Sequence, residues 1–352
     1  MNVLRMIADE KILDQFLQTQ SVVVLLILIV VSIVLLSKGA DWMIDGVVQL
    51  ARRSGLPRIV ISATVVSLGT TMPEAFVSVM AAWMGDPGLA LGNGVGSIIA
   101  DTGLIFGLTC VLTRVPLNRF ILNRTGWVQV GAATLLVVIS LILPRAAGGQ
   151  PVIGRGVGIL FLILLGVYMY MTYVWAKQGA DEANHGEAED DSEMSGYGIC
   201  FLCLFGGLAL VVIGARVLVP SAAEIAVRLG VPQDVIAATM VALGTSLPEL
   251  MTAITAVRKG HPEIMVGNVV GADVLNCLFV IGAAAAAKPL AVPQNFFLFH
   301  FPTMLIILYS FRFFIFRNNS KGYFNRMQGA WLLGLYLTYV ILQYALNVGG
   351  GH

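Results

Sequence analysis

The sequence Leu68-Gly-Thr-Thr-Met-Pro-Glu74 recurs in the second half of the chain as Leu243-Gly-Thr-Ser-Leu-Pro-Glu249. At the same offset of 175 residues (243 minus 68), residues 39–108 align with residues 214–283 without a gap. Glycine, proline, threonine, glutamate and asparagine residues coincide along this alignment. The chain therefore contains an internal repeat, and each copy carries one glutamate within an apolar stretch.

The composition indicates an integral membrane protein. Of 352 residues, 57% are hydrophobic and 12% are charged, and the mean hydropathy is +0.85, whereas soluble domains have about 25% charged residues. A bilayer core needs about 20 apolar residues per helix, and ten segments satisfy this need. They are residues 21–40, 59–83, 89–112, 127–143, 157–175, 198–219, 235–257, 264–287, 296–316 and 330–346. The predicted fold is an all-α membrane protein with ten transmembrane helices.

The repeat also predicts how the two halves are arranged. Five spans separate equivalent positions, and because five is odd, the second copy crosses the membrane in the opposite direction. Inverted repeats of this kind build secondary transporters, whose sites lie near the midplane at broken helices. Pro73 and Pro248 each remove a helical hydrogen bond, so we expect broken helices here. The predicted domains are a leader (1–20), a first five-span repeat (21–177), an acidic linker (178–195) and a second five-span repeat (196–352).

The distribution of basic residues predicts the orientation. Thirteen of the 21 Lys and Arg residues lie in loops after odd-numbered spans, against six on the opposite side. Basic loops stay in the cytoplasm. We therefore expect a multi-pass protein of the plasma (inner) membrane with both termini outside. The linker 178–195 holds seven of the 20 acidic residues and is expected to be cytoplasmic.

Other partners are not indicated by the sequence. The net charge is +1 and there is no basic tract, which argues against nucleic acid. We expect the lipid bilayer as the surroundings, no cofactor and no obligate protein partner. All four cysteines lie in apolar runs, where we interpret them as packing residues. They are Cys110, Cys200, Cys203 and Cys277.

Oxygen-bearing side chains cluster around the two glutamates. A carboxylate inside a span costs several kcal/mol unless it faces a cavity or a cation. Thr70 and Thr71 lie on the helical face of Glu74, and Thr245 and Ser246 have the same relation to Glu249. One helix later, two stripes follow at a spacing of four residues: Asn93, Ser97 and Asp101 in the first half, and Asn268, Ala272 and Asn276 in the second. Hard oxygen ligands suit Ca²⁺ or Na⁺, whereas Zn²⁺ and copper prefer imidazole or thiolate.

These motifs resemble the paired alpha-repeats of the cation/calcium exchanger superfamily, in particular its bacterial and archaeal sodium/calcium exchangers. The resemblance implies an antiporter, not an enzyme, that exchanges Ca²⁺ for Na⁺ by alternating access. It implies that spans one and six slide across the other eight, and that Glu74 and Glu249 bind both ions. The other ligands that it implies are Thr70, Thr71, Thr245, Ser246, Ser97, Asp101 and Asn276, with the backbone carbonyls of Ser67 and Ala242.

The sequence departs from the family pattern at several positions. Ala272 stands where a serine ligand is usual, and Ile98 and Asp273 replace the usual Asn after it. The acid at Asp101 and the amide at Asn276 are reversed relative to the archaeal arrangement. Asp273 lies off the stripe, so the sequence leaves open whether it belongs to the site.

Three alternatives remain open at this stage. In a proton/calcium antiporter the glutamates would carry H⁺, although the number of oxygen ligands favours sodium. An intramembrane lipid-phosphate hydrolase would need Arg near the acids, and both motifs lack one. A passive channel fits two enclosing inverted halves less well. Near the end of span one, we interpret Lys38, Asp41 and Asp45 as interfacial charges.

Overall fold

The computed structural model describes residues 10–117, 119–142, 150–183, 196–229, 246–318 and 322–345. Within this part the chain forms twelve helices and four two-residue strands. The helices are α1 (Glu10–Gln18), α2 (Val22–Ser54), α3 (Arg58–Thr70), α4 (Met72–Met84), α5 (Pro87–Leu112), α6 (Arg119–Ile142), α7 (Arg155–Ala183), α8 (Tyr197–Arg228), α9 (Leu247–Arg258), α10 (Pro262–Ala287), α11 (Phe296–Arg317) and α12 (Arg326–Ala345). The strands are β1 (Val115–Pro116), β2 (Val152–Ile153), β3 (Leu290–Ala291) and β4 (Tyr323–Phe324).

The predicted all-α membrane class is confirmed. Seven of the described helices are long and apolar enough to cross a bilayer, and an eighth span results if α3 and α4 count as one bent element. The seventh predicted span, 235–257, lies partly outside the described residues, which resume at 246. The tenth corresponds to α12, which is not among the seven. Ten spans therefore remain a prediction.

Two segments differ from their simplest sequence interpretation. The leader contains α1, whose Leu13 and Leu17 are buried against Leu25 of α2. At the other end of the first half, α7 continues to Ala183, which lies inside the segment predicted as linker. The remainder of that linker, 184–195, lies outside the described residues.

The helices next to the motif positions of both repeats are interrupted. The axes of α3 and α4 form an angle of 41° at Thr71, because Pro73 occupies the first turn of α4 and has no N–H to continue the helix. Three helices contain a π-helical segment, over Ser62–Val66 in α3, Ala100–Phe106 in α5 and Asn276–Val280 in α10. Such segments widen the helix and turn side chains away from the regular α-helical face.

Two central helices form the middle of the molecule. The apolar window of α10 is 83% buried and that of α5 is 72% buried, against 22% for α2. Close packing around α10 depends on small residues, since a side chain at Gly271 would collide with the backbone of Ala63 in α3. The helices that carry the two glutamates pack on these central helices: α3 and α4 pack on α10, and α9 packs on both α10 and α5.

The long helices α2 and α8 pack closely along each other. A Cβ atom at Gly39 of α2 would collide with the backbone of Gly207 in α8, and one at Gly207 would collide with Gly39. Leu36 and Ala40 form a small apolar cluster with α8 that is separate from the main core. The pair therefore has its own interface, with the main core outside it.

The short strands connect the two halves. β1 pairs antiparallel with β4, and β2 pairs antiparallel with β3. The offset of 175 residues carries β1 at 115–116 onto β3 at 290–291. Each pair thus joins one loop of the first half to one loop of the second, and the two pairs are related by the same offset as the sequence repeat.

Candidate ion-binding site

Glu74 and Glu249 occupy equivalent places in the fold. Each lies in the first turn of its helix, directly after a proline, in α4 and α9 respectively. Their side chains are only 1% and 2% exposed. A negative charge at a helix N-terminus is favoured by the helix dipole. The local sequence therefore places one buried carboxylate at the start of a helix in each half.

A hydroxyl precedes each of these helices. Thr71 and Ser246 are the N-terminal capping residues of α4 and α9, yet neither side chain caps its helix. Both hydroxyl oxygens are buried and have no hydrogen-bonding partner within the described part of the chain. They are therefore available to a ligand beside the glutamates.

The π-helical segments of α5 and α10 begin with the other polar pair. Asp101 and Asn276 are both buried, and Asn276 Nδ2 donates to Asp101 Oδ2 at 3.4 Å. The carboxylate of Asp101 lies within electrostatic range of Glu249 and of Glu74, and the two glutamates lie within range of each other. Three carboxylates from both halves are thus brought into one buried region.

Several oxygen atoms of this region lack a hydrogen bond from another described residue. They are Thr71 Oγ1, both carboxylate oxygens of Glu74, Asp101 Oδ1, Ser246 Oγ, Glu249 Oε2 and Asn276 Oδ1. Buried polar atoms are normally hydrogen-bonded, and buried charges are normally paired or coordinate a metal. This donor set consists entirely of hard oxygen atoms, which fits Ca²⁺ or Na⁺ as substrates.

The remaining predicted ligands have varied surroundings. Thr70 is buried, lies 3.5 Å from Asn268 Oδ1, and its hydroxyl interacts with the carboxylate of Glu249. The carbonyl of Ser67 already accepts the N–H of Thr71 at 2.9 Å and the hydroxyl of Thr70 at 3.3 Å. Ser97 is buried one turn before Asp101. Thr245 and Ala242 lie outside the described residues.

Two asparagines of the predicted stripes connect helices. Asn93 Nδ2 of α5 donates to the Glu74 carbonyl at 2.9 Å and to Ser78 Oγ at 3.0 Å. The carbonyl of Asn268 in α10 accepts the hydroxyl of Ser67 at 3.1 Å. In the first half these bonds fix the helix that carries Glu74, and the helix before it, against the two central helices.

Acidic residues alone do not form a metal cluster in the described part of the chain. Among these residues, no group of three or more His, Cys, Asp and Glu side chains lies close enough to hold a metal ion. The predicted set does not require such a group, because hydroxyl, amide and carbonyl oxygens supplement two glutamates. Coordination here would depend on neutral oxygen atoms as much as on charge.

A second polar cluster was not found from the sequence. Asp273 Oδ2 accepts hydrogen bonds from Thr102 Oγ1 and from Gln129 Nε2, both at 2.5 Å. The sequence left Asp273 open and did not single out Thr102 or Gln129. A buried glutamine in the middle of α6, an otherwise apolar span, is the signal that could have indicated it.

The charges near the end of span one have a partner in a distant part of the chain. Lys259, after α9, lies 2.6 Å from Asp45 Oδ1 and 3.9 Å from Asp41 Oδ1 of α2. The expectation of interfacial charges therefore needs one addition, since these acids link α2 to the loop before α10.

Comparison with known proteins decides the family. Residues 24–174 and 199–345 match the family of sodium/calcium exchanger proteins. The chain belongs to this family. Its members are transporters, so the protein is a sodium/calcium antiporter of a membrane and not an enzyme, and the hydrolase alternative is wrong. The resemblance drawn from the two motifs is confirmed.

Individual exchanger relatives cover nearly the whole chain. An uncharacterized membrane protein of Methanocaldococcus jannaschii is 29% identical over 313 residues, which cover 87% of this chain and 93% of that protein. The sodium/calcium exchanger MaX1 of Methanosarcina acetivorans is 27% identical and covers 90% of this chain and 97% of its own. The solved sodium-calcium exchanger NCX_Mj, soaked with Na⁺ and Sr²⁺, superposes with a TM-score of 0.75 at 26% identity, over 91% of this chain and 99% of that chain.

Proposed function

We propose that this antiporter exchanges Ca²⁺ for Na⁺ at one shared set of sites, in which Glu74 and Glu249 bind both ions. The observation that carries the proposal is the pair of buried glutamates, one from each half, within electrostatic range of each other. Unpartnered oxygens of Thr71, Ser246 and Asn276 lie among the residues of the same region. We propose that these oxygens, with Thr70, Thr245, Ser97, Asp101 and the carbonyls of Ser67 and Ala242, complete the coordination.

Charge balance explains why an ion must accompany the site across the barrier. Two or three uncompensated carboxylates repel one another and are poorly solvated in a buried region. One Ca²⁺ or a small number of Na⁺ ions neutralises them. The two substrates then compete for the same carboxylates, and this competition couples the inward movement of one to the outward movement of the other.

Contacts between loops support ten spans in two inverted repeats. Arg58 Nη1 lies 3.2 Å from Glu263 Oε1, which connects the predicted loops after spans one and seven. The β1–β4 pair connects the loops after spans three and nine, and the β2–β3 pair those after spans four and eight. Loops after odd-numbered spans thus contact one another, as do loops after even-numbered spans. This is the arrangement expected when successive spans alternate in direction.

We assign the side with the Arg-rich loops to the cytoplasm. The excess of basic residues in loops after odd-numbered spans supports this assignment. Both termini then lie outside the plasma membrane, and the linker 178–195 lies in the cytoplasm between repeats 21–177 and 196–352. Cysteine labelling from either side of intact cells at residues 2 and 190 tests it, and labelling of residue 2 from the cytoplasm only would contradict it.

Sliding of two helices would give alternating access. α2 and α8 contact each other closely through glycines and have a separate apolar cluster, whereas the glutamates lie on helices packed around α5 and α10. A smooth glycine interface allows movement with little side-chain interlocking. We propose that this pair moves against the remaining helices and exposes the site to each side in turn.

The test is calcium-45 uptake into proteoliposomes preloaded with Na⁺, with matched vesicles that hold choline and an imposed proton gradient. Uptake only with internal Na⁺ is expected, and it should vanish in Glu74→Gln and Glu249→Gln proteins that remain folded. Uptake driven by the proton gradient would instead support the proton/calcium antiporter. Full activity of either variant would contradict the assigned sites.

A further inference from the structure

The cluster around Asp273 has no role in the exchange mechanism described above. Asp273 of α10, Thr102 of α5 and Gln129 of α6 are all at most 1% exposed. Thr102 and Gln129 donate to the same oxygen, Asp273 Oδ2, and Gln129 Nε2 also lies 3.3 Å from Thr102 Oγ1. Three helices thus meet at one carboxylate, and two neutral donors fix its orientation.

These hydrogen bonds leave half of each acidic group unused. Asp273 Oδ1 has no partner in the described part of the chain, and the same holds for Asp101 Oδ1, Asn276 Oδ1 and Gln129 Oε1. Asp273 lies within electrostatic range of Asp101. No salt bridge among the described residues involves either carboxylate. Four buried oxygen acceptors therefore accompany two negative charges, although buried charge is normally paired with a cation.

We propose that Asp273, Gln129 and Asp101, with the Asn276 amide oxygen, form an additional site for one Na⁺ ion beside the glutamate pair. Ca²⁺ takes six to eight oxygen ligands, more than the four that this cluster supplies. A bound proton would engage a carboxylate and would leave both amide oxygens without a partner. A monovalent cation satisfies all four oxygens and reduces the repulsion between Asp273 and Asp101.

The acid that defines this site is present in the second half of the chain alone. The offset of 175 residues relates Asp273 to Ile98, which has no oxygen ligand in its side chain. The additional ion would therefore break the equivalence of the two halves. The proposal deepens the sodium coupling of the proposed function and rests on it: occupation of this site adds one Na⁺ to those that compete with Ca²⁺ at the glutamates.

The test is the number of Na⁺ ions bound to the purified protein, measured by sodium-22 equilibrium binding in detergent. Asp273→Asn should reduce this number by about one and should leave Ca²⁺ affinity, measured by titration calorimetry, within about twofold. Asn is the usual residue of the resembling family at this position, so the variant is expected to fold. Asp86→Asn is the matched control, since Asp86 caps α5 by accepting the Leu89 N–H at 2.9 Å, a bond that Asn preserves.

Two further variants distinguish a bound ion from a purely structural cluster. Thr102→Val removes a hydrogen bond to Asp273 but no proposed ligand, so the number of bound Na⁺ ions should not change. If Thr102→Val reproduces the effect of Asp273→Asn, the cluster is structural and the proposal is wrong. Gln129→Met removes one proposed ligand and should weaken Na⁺ binding even if Asp273→Asn does not fold.

The remaining outcomes are equally distinct. An unchanged Na⁺ number in Asp273→Asn overturns the proposal, and so does a change confined to the pH dependence of exchange, because Asp273 would then carry a proton. A wild-type protein that binds Na⁺ without binding Ca²⁺ would refute the proposed exchange. It would still leave the Na⁺ count of the variants to decide on this site.

Discussion

Replacement of Glu249 by Gln tests whether the glutamate charge holds the calcium ion. The substitution keeps the shape and one oxygen ligand but removes a unit of negative charge. A carboxylate oxygen lies about 2.4 Å from a bound Ca²⁺, and even with the screening of bulk water a unit charge and a divalent ion interact by about 3 kcal/mol at that distance. The loss corresponds to at least about 100-fold in affinity.

The structure indicates that this figure is a lower bound, because Glu249 is only 2% exposed and screening is weaker than in water. The same calculation halves the interaction energy for Na⁺, so Ca²⁺ affinity should fall much more than Na⁺ affinity. Titration calorimetry of the purified protein with each ion measures both. A fall in Ca²⁺ affinity of less than about tenfold, in a folded variant, would refute the reasoning.

The control for this experiment is Glu263→Gln. Glu263 is 26% exposed and pairs with Arg58 at the start of α10. Exposed pairs contribute about 0–1 kcal/mol, so its loss should leave Ca²⁺ affinity almost unchanged. An independent readout follows from repulsion between buried acids: in buffer free of Na⁺ and Ca²⁺, Glu249→Gln should raise the thermal unfolding temperature, whereas Glu263→Gln should not.

Three other substitutions test the packing and the moving parts. Gly207→Val should abolish calcium-45 uptake, because its side chain would collide with the α2 backbone, and wild-type uptake would contradict a close α2–α8 interface. Lys259→Met removes the ion pair with Asp45 and should shift the ratio of half-saturating Ca²⁺ concentrations on the two membrane sides by at most about fivefold; a constant ratio would show that the pair does not bias the conformation. Asn93→Leu leaves the Glu74 carbonyl without its interhelical donor and should lower the free energy of unfolding by about 1–3 kcal/mol, measured by chemical denaturation, with wild-type stability as the contrary result.

The starts of the glutamate helices could be predicted from local sequence. A proline has no N–H and is tolerated in the first turn of a helix, so a helix is expected to begin at Pro73 and at Pro248. The structure has Glu74 and Glu249 in the first turns of α4 and α9 for this reason. The repeat spacing then related the two positions without any structural information.

The contacts around Asp273 could not be predicted in the same way. Its partners Thr102 and Gln129 lie 171 and 144 residues away in the chain, and nothing local in the sequence relates them. The π-helical segment at Ala100–Phe106 adds to the difficulty, because regular helical spacing assigns side chains to the wrong face beyond it. The same limit applies to Lys259 and Asp45, which are 214 residues apart.

The number of spans was also beyond simple apolar length. α4 has 13 residues and is a candidate for spanning only together with α3, from which it is bent by 41°. Helices built around a buried polar site are interrupted, and so each piece falls below the length of an uninterrupted span. Broken helices were predicted from Pro73, but the size of the bend depends on tertiary packing.

Competition between Na⁺ and Ca²⁺ for one protein tests the central claim most directly. Calcium titration calorimetry of the wild-type protein is repeated at increasing Na⁺ concentration, with choline replacing Na⁺ to keep the ionic strength constant. If Glu74 and Glu249 bind both ions, the apparent calcium dissociation constant rises with Na⁺, and more steeply than in direct proportion because several Na⁺ ions replace one Ca²⁺. A calcium affinity that does not change with Na⁺ would contradict a shared site.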